Sequence, residues 1–481
     1  MSFFNKNKDV LLISISAILF FLVAYFLERT AFSKLTFLWF SLFGSFYLLM
    51  KSNTIRCSNL VGISILFRLI FLFATPNLSQ DFYRFIWDGR MILEGLNPYL
   101  SVPETFIQQN IHPIAEASEL YVGMGDMNGS HYTNYPPLNQ LCFLIAALFS
   151  SKSIFGSIIV LRLILILADI GILYFGKKLL EKLQLPIKNI FWYVLNPFII
   201  IEMTGNLHFE PVMLFFLIWG LYKLQQQKWL LAAILIACAV SVKLIPLLFL
   251  PLFYQQFVKQ PSLLTNKVKN TDASIENISS KNKIKKSKNK WFPAYRGIIK
   301  LVCFYSIILV VNVLLFLPFY ASELITNYAN SVGLWFRTFE FNASFYYLFR
   351  EISYLFRGWN EIAIIGKITP IVTIVFLLVI TFYRKNKTGI QLFTALLFGL
   401  CFYYFTATTV HPWYLATPII LSVFTKYKFP IVWSFVVILS YQAYSNSPWE
   451  ENLWFVLLEY LIVFTFLIYE IKRSSIKKLI I

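Results

Sequence analysis

The fold of this chain is decided by residues 62–75, GISILFRLIFLFAT, and by residues 81–90, DFYRFIWDGR, which follow them closely. The first stretch is typical of a membrane-spanning helix. The second places two carboxylates and two guanidiniums at a membrane exit, in a chain with only 14% charged residues. At helical spacing Asp81, Arg84 and Asp88 share one face, and Arg90 points away from it. Two acids and a cation at the lipid–water boundary predict chemistry on a phosphorylated lipid.

The composition indicates a polytopic membrane protein. Of the 481 residues, 58% are hydrophobic and 19% are aromatic, and the mean hydropathy is +0.66. Spanning segments must be helices or a closed barrel, and the apolar runs are too long and too uniform for barrel strands. The sequence therefore predicts an all-α membrane protein with about 13–14 transmembrane helices in a single domain, residues 1–481.

The distribution of Lys and Arg predicts the orientation. Residues 258–296 carry ten basic residues against two acids, in a polar segment that we expect to be disordered and cytoplasmic. Residues 77–136 carry seven acids, two arginines and no lysine, which predicts an outer, periplasmic loop. The apolar stretch 137–150 is short for a span, so we expect a juxtamembrane helix on the outer side. Residues 320–358 form the second outer loop, and both termini are cytoplasmic.

The same features argue against two functions. The basic segment 258–296 is explained by a position near anionic lipid head groups, so no nucleic-acid binding is expected. The chain contains no Gly-rich nucleotide loop and no Walker motif. This argues against a primary ATP-driven pump.

The first candidate group lies in the loop 77–136. A carboxylate near a membrane boundary is partly desolvated, so its pKa rises toward a value that suits a general base. Asp81 and Asp88 are the candidates for this role, with Arg84 and Arg90 beside them. The alternative is that Arg84 only pairs with the two acids as a structural cluster. Further along the chain, Tyr135 precedes two prolines. The alternative explanation for these prolines is structural, because they also fit a simple transition from a loop to the start of a helix.

A second group lies at predicted membrane depth, where ionisable residues are costly and usually functional. Asn206, His208 and Glu210 follow a proline-kinked helix, and Lys243 lies in an apolar stretch. His208 and Glu210 are too few ligands to predict a metal site. Lys243 either binds an anion or extends toward the interface. The mid-span carboxylate Asp169 is expected to pair with Arg162 or Arg68 inside the bundle.

A third group mixes aromatic and polar residues near the outer face. Aromatic rings stack on sugars, and guanidinium groups bind phosphate oxygens in a fork. The alternative is an aromatic belt at the membrane interface. The candidate residues are Arg337, Glu340, Asn342, His411, Trp413 and Tyr414.

Taken together, these motifs resemble the C superfamily of glycosyltransferases (GT-C), and most closely the bacterial polyprenol-phosphate-mannose-dependent mannosyltransferases. The resemblance runs from about residue 59 to 415, and its motifs keep the family's order. They are DFYRFIWDG at 81–89, NPY at 97–99, YPPL at 135–138, GNLH at 205–208 and HPWY at 411–414.

The resemblance implies an inverting transfer of a hexose, with mannose expected on family likeness alone. Asp81 would be the general base, although the family often has two adjacent acids where this chain has Gln80 and Asp81, so Asp88 could share or hold that role. No metal and no cofactor are implied. The donor phosphate would be bound by Arg84, Arg90, Lys243, Arg337 and His411. The sugar or acceptor would be bound by Trp87, Tyr135, Asn206, His208, Glu210, Glu340, Asn342, Trp413 and Tyr414.

The expected partners follow from this activity. The donor is a polyprenyl-phosphate-linked sugar, and the acceptor is a glycan, a glycolipid or a protein, at the outer face of the bacterial inner membrane. A transporter or flippase of a lipid-linked sugar is the main alternative, although it would place its polar groups near the midplane and contain inverted repeats. An inactive assembly partner is a third possibility, which would tolerate the loss of Asp81.

Overall fold

The computed structural model describes residues 2–258, 291–446 and 448–479, without the side chains of 2–6, 291–294, 335–337 and 474–479. In these ranges the chain is built from α-helices and short 3-10 or π-helical segments, with one isolated β-bridge between Phe341 and Thr409. This confirms the all-α prediction. Of the segment 258–296, which was predicted to be disordered, residues 259–290 lie outside the described residues. Its described ends are helical, since Val258 belongs to one helix and residues 291–296 begin the next.

The helices, in chain order, are α1 Ser2–Phe26, α2 Phe32–Lys51, α3 Cys57–Leu69, α4 Asp81–Leu93, α5 Pro103–Gln108, α6 Ala117–Gly129, α7 Pro137–Phe149, α8 Ile154–Lys182, α9 Phe191–Val194, α10 Glu210–Gln225, α11 Trp229–Val240, α12 Tyr254–Val258, α13 Trp291–Phe316, α14 Leu324–Arg337, α15 Phe345–Arg357, α16 Ile362–Tyr383, α17 Gly389–Thr406, α18 Ala416–Val423, α19 Phe429–Val436 and α20 Leu453–Leu479.

Seven helices in the described ranges are long and apolar enough to cross a membrane. They are α1, α2, α8, α13, α16, α17 and α20, and a bent pair of segments would make an eighth. Six apolar helices of 10–17 residues accompany them. The chain is therefore a multi-pass membrane protein, while the number of 13–14 crossings stays a prediction.

The bent pair is a broken helix. The π-helical segment Ile199–Gly205 and α10 meet at an angle of 111°. Leu207 lies in the break with a left-handed φ of 62°, a conformation that costs a leucine energy. Arg162 of α8, fully buried, donates hydrogen bonds to the carbonyls of Thr204 and Gly205, both at 2.9 Å. These bonds satisfy carbonyl groups that the break leaves without helical partners.

A buried ion pair fixes α3 against α8. The Nε atom of Arg68 lies 2.7 Å from Oδ2 of Asp169, and both side chains are buried. The prediction that Asp169 pairs inside the bundle is confirmed, with Arg68 as its partner. Arg162, the other candidate, binds the carbonyls at the helix break instead.

The amphipathic helix α4 packs against α6 and α7. Gly89 permits the close approach of α4 to α7, because a Cβ atom at this position would lie 2.2 Å from the carbonyl oxygen of Phe143. The rings of Phe85 and Phe143 stack across the same contact at 4.7 Å. This packing holds the first turn of α4, with Asp81, at the wall of a cavity.

Candidate active site

The candidate site is a cavity of about 830 Å³. This volume lies in the upper part of the ~300–1,000 Å³ range of small-molecule sites. Its wall comes from distant parts of the chain: the α1–α2 turn, the start of α4, the α6–α7 connection, the broken helix, residues 243–248, α16 and residues 403–414. Of the site residues predicted from the sequence, those that line it are Asp81, Arg84, Tyr135, His208, Lys243, His411, Trp413 and Tyr414.

Asp81 is the first residue of α4 and is half-buried in the cavity wall. Burial raises the pKa of its carboxyl group, and the charges of Lys243 and Arg29 partly oppose this shift. The side-chain amide of Asn128 donates a hydrogen bond to Oδ1 at 3.4 Å. A half-buried carboxylate with a raised pKa can accept a proton from a substrate hydroxyl.

Asp88, the alternative candidate for the base, does not line the cavity. It is fully buried, with Oδ1 2.8 Å from Nε of Arg84 and Oδ2 2.9 Å from Nε2 of Gln140. Arg84 also donates to the carbonyls of Asn128 and His131. Asp88 therefore positions Arg84 and connects α4 to α7. Arg84, through its bonds to the two carbonyls, positions the backbone at Asn128.

Arg90 and Trp87 lie outside the cavity, contrary to their predicted contacts with substrate. Arg90 pairs with Glu116 at 2.9 Å and donates to the carbonyl of Ala115 at 2.6 Å. Trp87 is 2% exposed and packs near Phe106. Both side chains lie on the face of α4 that packs against the rest of the loop 77–136, so they stabilise this loop.

Lys243 also lines the cavity, and its ammonium group forms an ion pair with Glu210. Glu210 itself is buried and does not line the cavity. Asn206 is also buried: its side chain accepts a hydrogen bond from the backbone N–H of Leu78 at 2.9 Å. Glu210 and Asn206 therefore support cavity residues and do not face the cavity themselves.

Three rings form a stack at the cavity wall. The ring of Trp413 lies 4.0 Å from that of His208 and 4.4 Å from that of His411. The His208 ring also approaches a buried carboxylate: its Nε2 atom is 3.6 Å from Oε2 of Glu202. Burial, and then the charges of Lys243 and Arg29, lower the pKa of His411 to about 3. His411 is therefore neutral at physiological pH and carries no charge toward a phosphate.

Glu340 and Asn342 do not reach the cavity, contrary to their predicted role. Glu340 pairs with Arg350 at 2.7 Å and accepts a hydrogen bond from Tyr346. Asn342 is fully buried and donates to Glu459 of α20 at 3.2 Å. These contacts anchor the segment 338–344 to α15 and α20. The side chain of Arg337 lies outside the described residues.

Four residues that were not predicted from the sequence also line the cavity: Arg29, Asn128, Tyr444 and Trp449. Arg29 lies in the turn between α1 and α2, which the predicted topology places outside. A basic residue in an outer turn departs from the positive-inside rule. This departure could have identified Arg29 as a candidate site residue. In the described part of the chain, no group of three or more His, Cys, Asp or Glu could hold a metal ion. The predicted metal independence stays a prediction.

Comparison with known proteins gives one family. Residues 11–259 match the model of the MptA_B family, described as the N-terminal domain of alpha-(1->6)-mannopyranosyltransferases. The match includes α4, the broken helix and Lys243. No curated protein matches the chain.

Proposed function

The chain belongs to the MptA_B family of mannosyltransferases, and from this premise we propose that it moves mannose from a polyprenyl-phosphate donor to a glycan or glycolipid. We place the transfer at the outer face of the bacterial inner membrane, with both termini in the cytoplasm. The observation that carries this proposal is the half-buried Asp81 carboxylate in a cavity that also contains Arg29 and Lys243.

In the proposed reaction Asp81 is the general base. The acceptor hydroxyl gives its proton to the Asp81 carboxylate, and its oxygen attacks the anomeric carbon of the donor sugar. The bond from this carbon to the phosphate oxygen breaks, and its electron pair leaves with the polyprenyl phosphate. Attack from the side opposite the leaving group inverts the configuration. The raised pKa of the Asp81 carboxyl makes it a stronger base than an exposed aspartate.

A lipid-linked donor is supported by the apolar side of the cavity. Residues 244–248 and α16 line this side, and they include Leu247 and Ile374. Both side chains are exposed on the protein surface, Leu247 by 42% and Ile374 by 55%. In a membrane such a surface faces acyl chains. A polyprenyl chain could therefore extend between residues 244–248 and α16 while its phosphate and sugar occupy the cavity.

The proposed orientation is supported by charge. Two basic groups would face the cytoplasm: Lys177 and Lys178, near the end of α8, and Arg384, Lys385 and Lys387, after α16. The acidic loop 77–136, which provides α4 and Asp81, would face outward.

A flippase for a lipid-linked sugar is the second candidate function. The helix that breaks by 111° between Gly205 and Glu210 favours it, because discontinuous helices frequently form transport sites. Transport moves the donor without breaking the sugar–phosphate bond, so it does not require a base at Asp81.

The test is mannose transfer by the purified protein in proteoliposomes with polyprenyl-phosphate mannose and a mannoside acceptor. We expect transfer by the wild type and a loss of about 10²-fold or more with Asp81→Asn. Asp126→Asn is the matched control, because Asp126 lies in the same loop, is exposed and does not line the cavity. Wild-type protein that moves the donor across the bilayer but forms no mannoside would establish the flippase instead.

A further inference from the structure

The cavity contains arginine and lysine side chains that differ in how their charges are balanced. Arg84 is paired with the buried Asp88, and Lys243 is paired with Glu210. Arg29 also lines the cavity, yet in the described part of the chain no carboxylate oxygen lies within 4.0 Å of its guanidinium. Among the described arginine and lysine side chains that line the cavity, Arg29 is therefore the one whose charge remains available to an anion.

Arg29 is held in position by neutral groups. Its guanidinium carbon lies 3.6 Å from the centre of the Tyr444 ring, so the guanidinium is stacked on this ring. Its Nη1 atom lies 3.4 Å from Oε1 of Gln80, the residue before Asp81. Its Nε atom is buried and has no hydrogen-bond partner within the described ranges. A ring and an amide orient the guanidinium without neutralising it.

We propose that Arg29 binds the phosphate of the lipid-linked donor and stabilises the negative charge that develops on this phosphate as the sugar leaves. This inference rests on the proposed function, since it names the group that receives the leaving phosphate. Arg29 lines the same cavity as Asp81: Gln80 contacts the guanidinium, and the charge of Arg29 acts on the Asp81 carboxyl.

The charge balance also indicates the class of donor. A polyprenyl-phosphate sugar is a phosphodiester with one negative charge, which one unpaired guanidinium matches. When the bond from the anomeric carbon to the phosphate oxygen breaks, this oxygen takes the electron pair and the phosphate becomes a monoester with greater negative charge. Arg29 therefore binds the transition state and the departing phosphate more strongly than the intact donor, which lowers the barrier.

Tyr444 has a positioning role in this scheme. Its ring supports one face of the Arg29 guanidinium at 3.6 Å, and it lines the cavity itself. Replacing Tyr444 with leucine keeps an apolar side chain but removes the aromatic face. We expect Tyr444→Leu to weaken phosphate binding less than the loss of Arg29 does.

The experiment compares Arg29→Gln, Arg29→Lys and the control Lys34→Gln in purified, monodisperse protein. Lys34 lies in the first turn of α2, close to Arg29 in sequence, but it is exposed and does not line the cavity. The measurements are binding of polyprenyl phosphate, which requires no turnover, and kcat and KM for the mannosyl donor. We expect Arg29→Gln to weaken polyprenyl phosphate binding about 10- to 100-fold and to lower kcat as well. Arg29→Lys retains part of the binding, and Lys34→Gln behaves as the wild type.

The inference is overturned if Arg29→Gln, or Arg29→Lys should the first variant not fold, binds polyprenyl phosphate as tightly as the wild type does. Failure of the proposed function gives a different result. In that case the wild type forms no mannoside, while a weaker binding of polyprenyl phosphate by Arg29→Gln still supports Arg29 as the phosphate ligand.

Discussion

The side-chain amide of Asn128 donates a hydrogen bond to the carboxylate of Asp81 across 3.4 Å, and so joins the end of α6 to the start of α4. This bond favours the ionised carboxylate and lowers its pKa, against the larger effect of burial, which raises it. The charges of Lys243 and Arg29 act in the same direction as the hydrogen bond. The protonation of Asp81 thus depends on residues from three other parts of the chain.

The first prediction concerns pH. A general base works only when it is ionised, so kcat/KM should fall as the pH decreases through the pKa of Asp81. Asn128→Ala removes a group that lowers this pKa, and the acidic limb of the profile should therefore move to higher pH. The measurement is kcat/KM for mannose transfer against pH, with Gln108→Ala, an exposed position of α5 in the same loop, as the control. An unchanged limb would show that the hydrogen bond from Asn128 does not influence the titrating base.

The second prediction separates the two aspartates of α4. Asp88→Asn leaves the buried Arg84 guanidinium without its carboxylate, so we expect a loss of about 3–5 kcal/mol in the free energy of unfolding. Asp81→Asn removes a half-buried group that forms no ion pair within the described residues, so it should abolish transfer with little change in stability. Thermal unfolding of both purified variants, beside Asp126→Asn, measures the difference. Equal melting temperatures for Asp81→Asn and Asp88→Asn would contradict the separate roles.

The third prediction concerns the contact between α4 and α7. A methyl group at Gly89 would meet the backbone carbonyl of Phe143, which cannot rotate away. We expect Gly89→Ala to cost about 1–3 kcal/mol and to lower activity, because α4 carries Asp81. The control is Gly62→Ala in α3, where a Cβ atom would meet nothing within 4 Å. Should both variants unfold at the same temperature, α4 and α7 pack less closely than described.

The fourth prediction concerns the ring stack. Trp413 lies between His208 and His411, and its removal allows both imidazoles to shift within the cavity. Because small displacements of positioned groups are costly in catalysis, Trp413→Leu should lower kcat/KM by about tenfold or more. Trp454→Leu is the control, since Trp454 is 77% exposed at the start of α20. Wild-type kinetics for Trp413→Leu would exclude the stack from the site.

The family match covers α1 to α12, whereas the cavity also needs residues from the second half of the chain. His411, Trp413 and Tyr444 line it, and Phe341 and Thr409 form the β-bridge beside it. The cavity is therefore complete only with residues that follow the matched range 11–259.

The sequence by itself determined the membrane class, the helical fold and the helical spacing of Asp81, Arg84 and Asp88. These features follow from apolar run length and from helical spacing, which are local properties. Helical spacing also brought Arg84 and Asp88 together, four residues apart. Only the tertiary structure decided which of the other charged side chains form ion pairs and which keep their charge available. Arg90 pairs with Glu116 and Lys243 pairs with Glu210, so the charges of Arg90 and Lys243 are balanced by partners that no local pattern identifies. Gln140 of α7 adds a hydrogen bond to Asp88, again from a distant part of the chain. Arg29 keeps its charge because the groups that fold against it are an amide and a phenol ring.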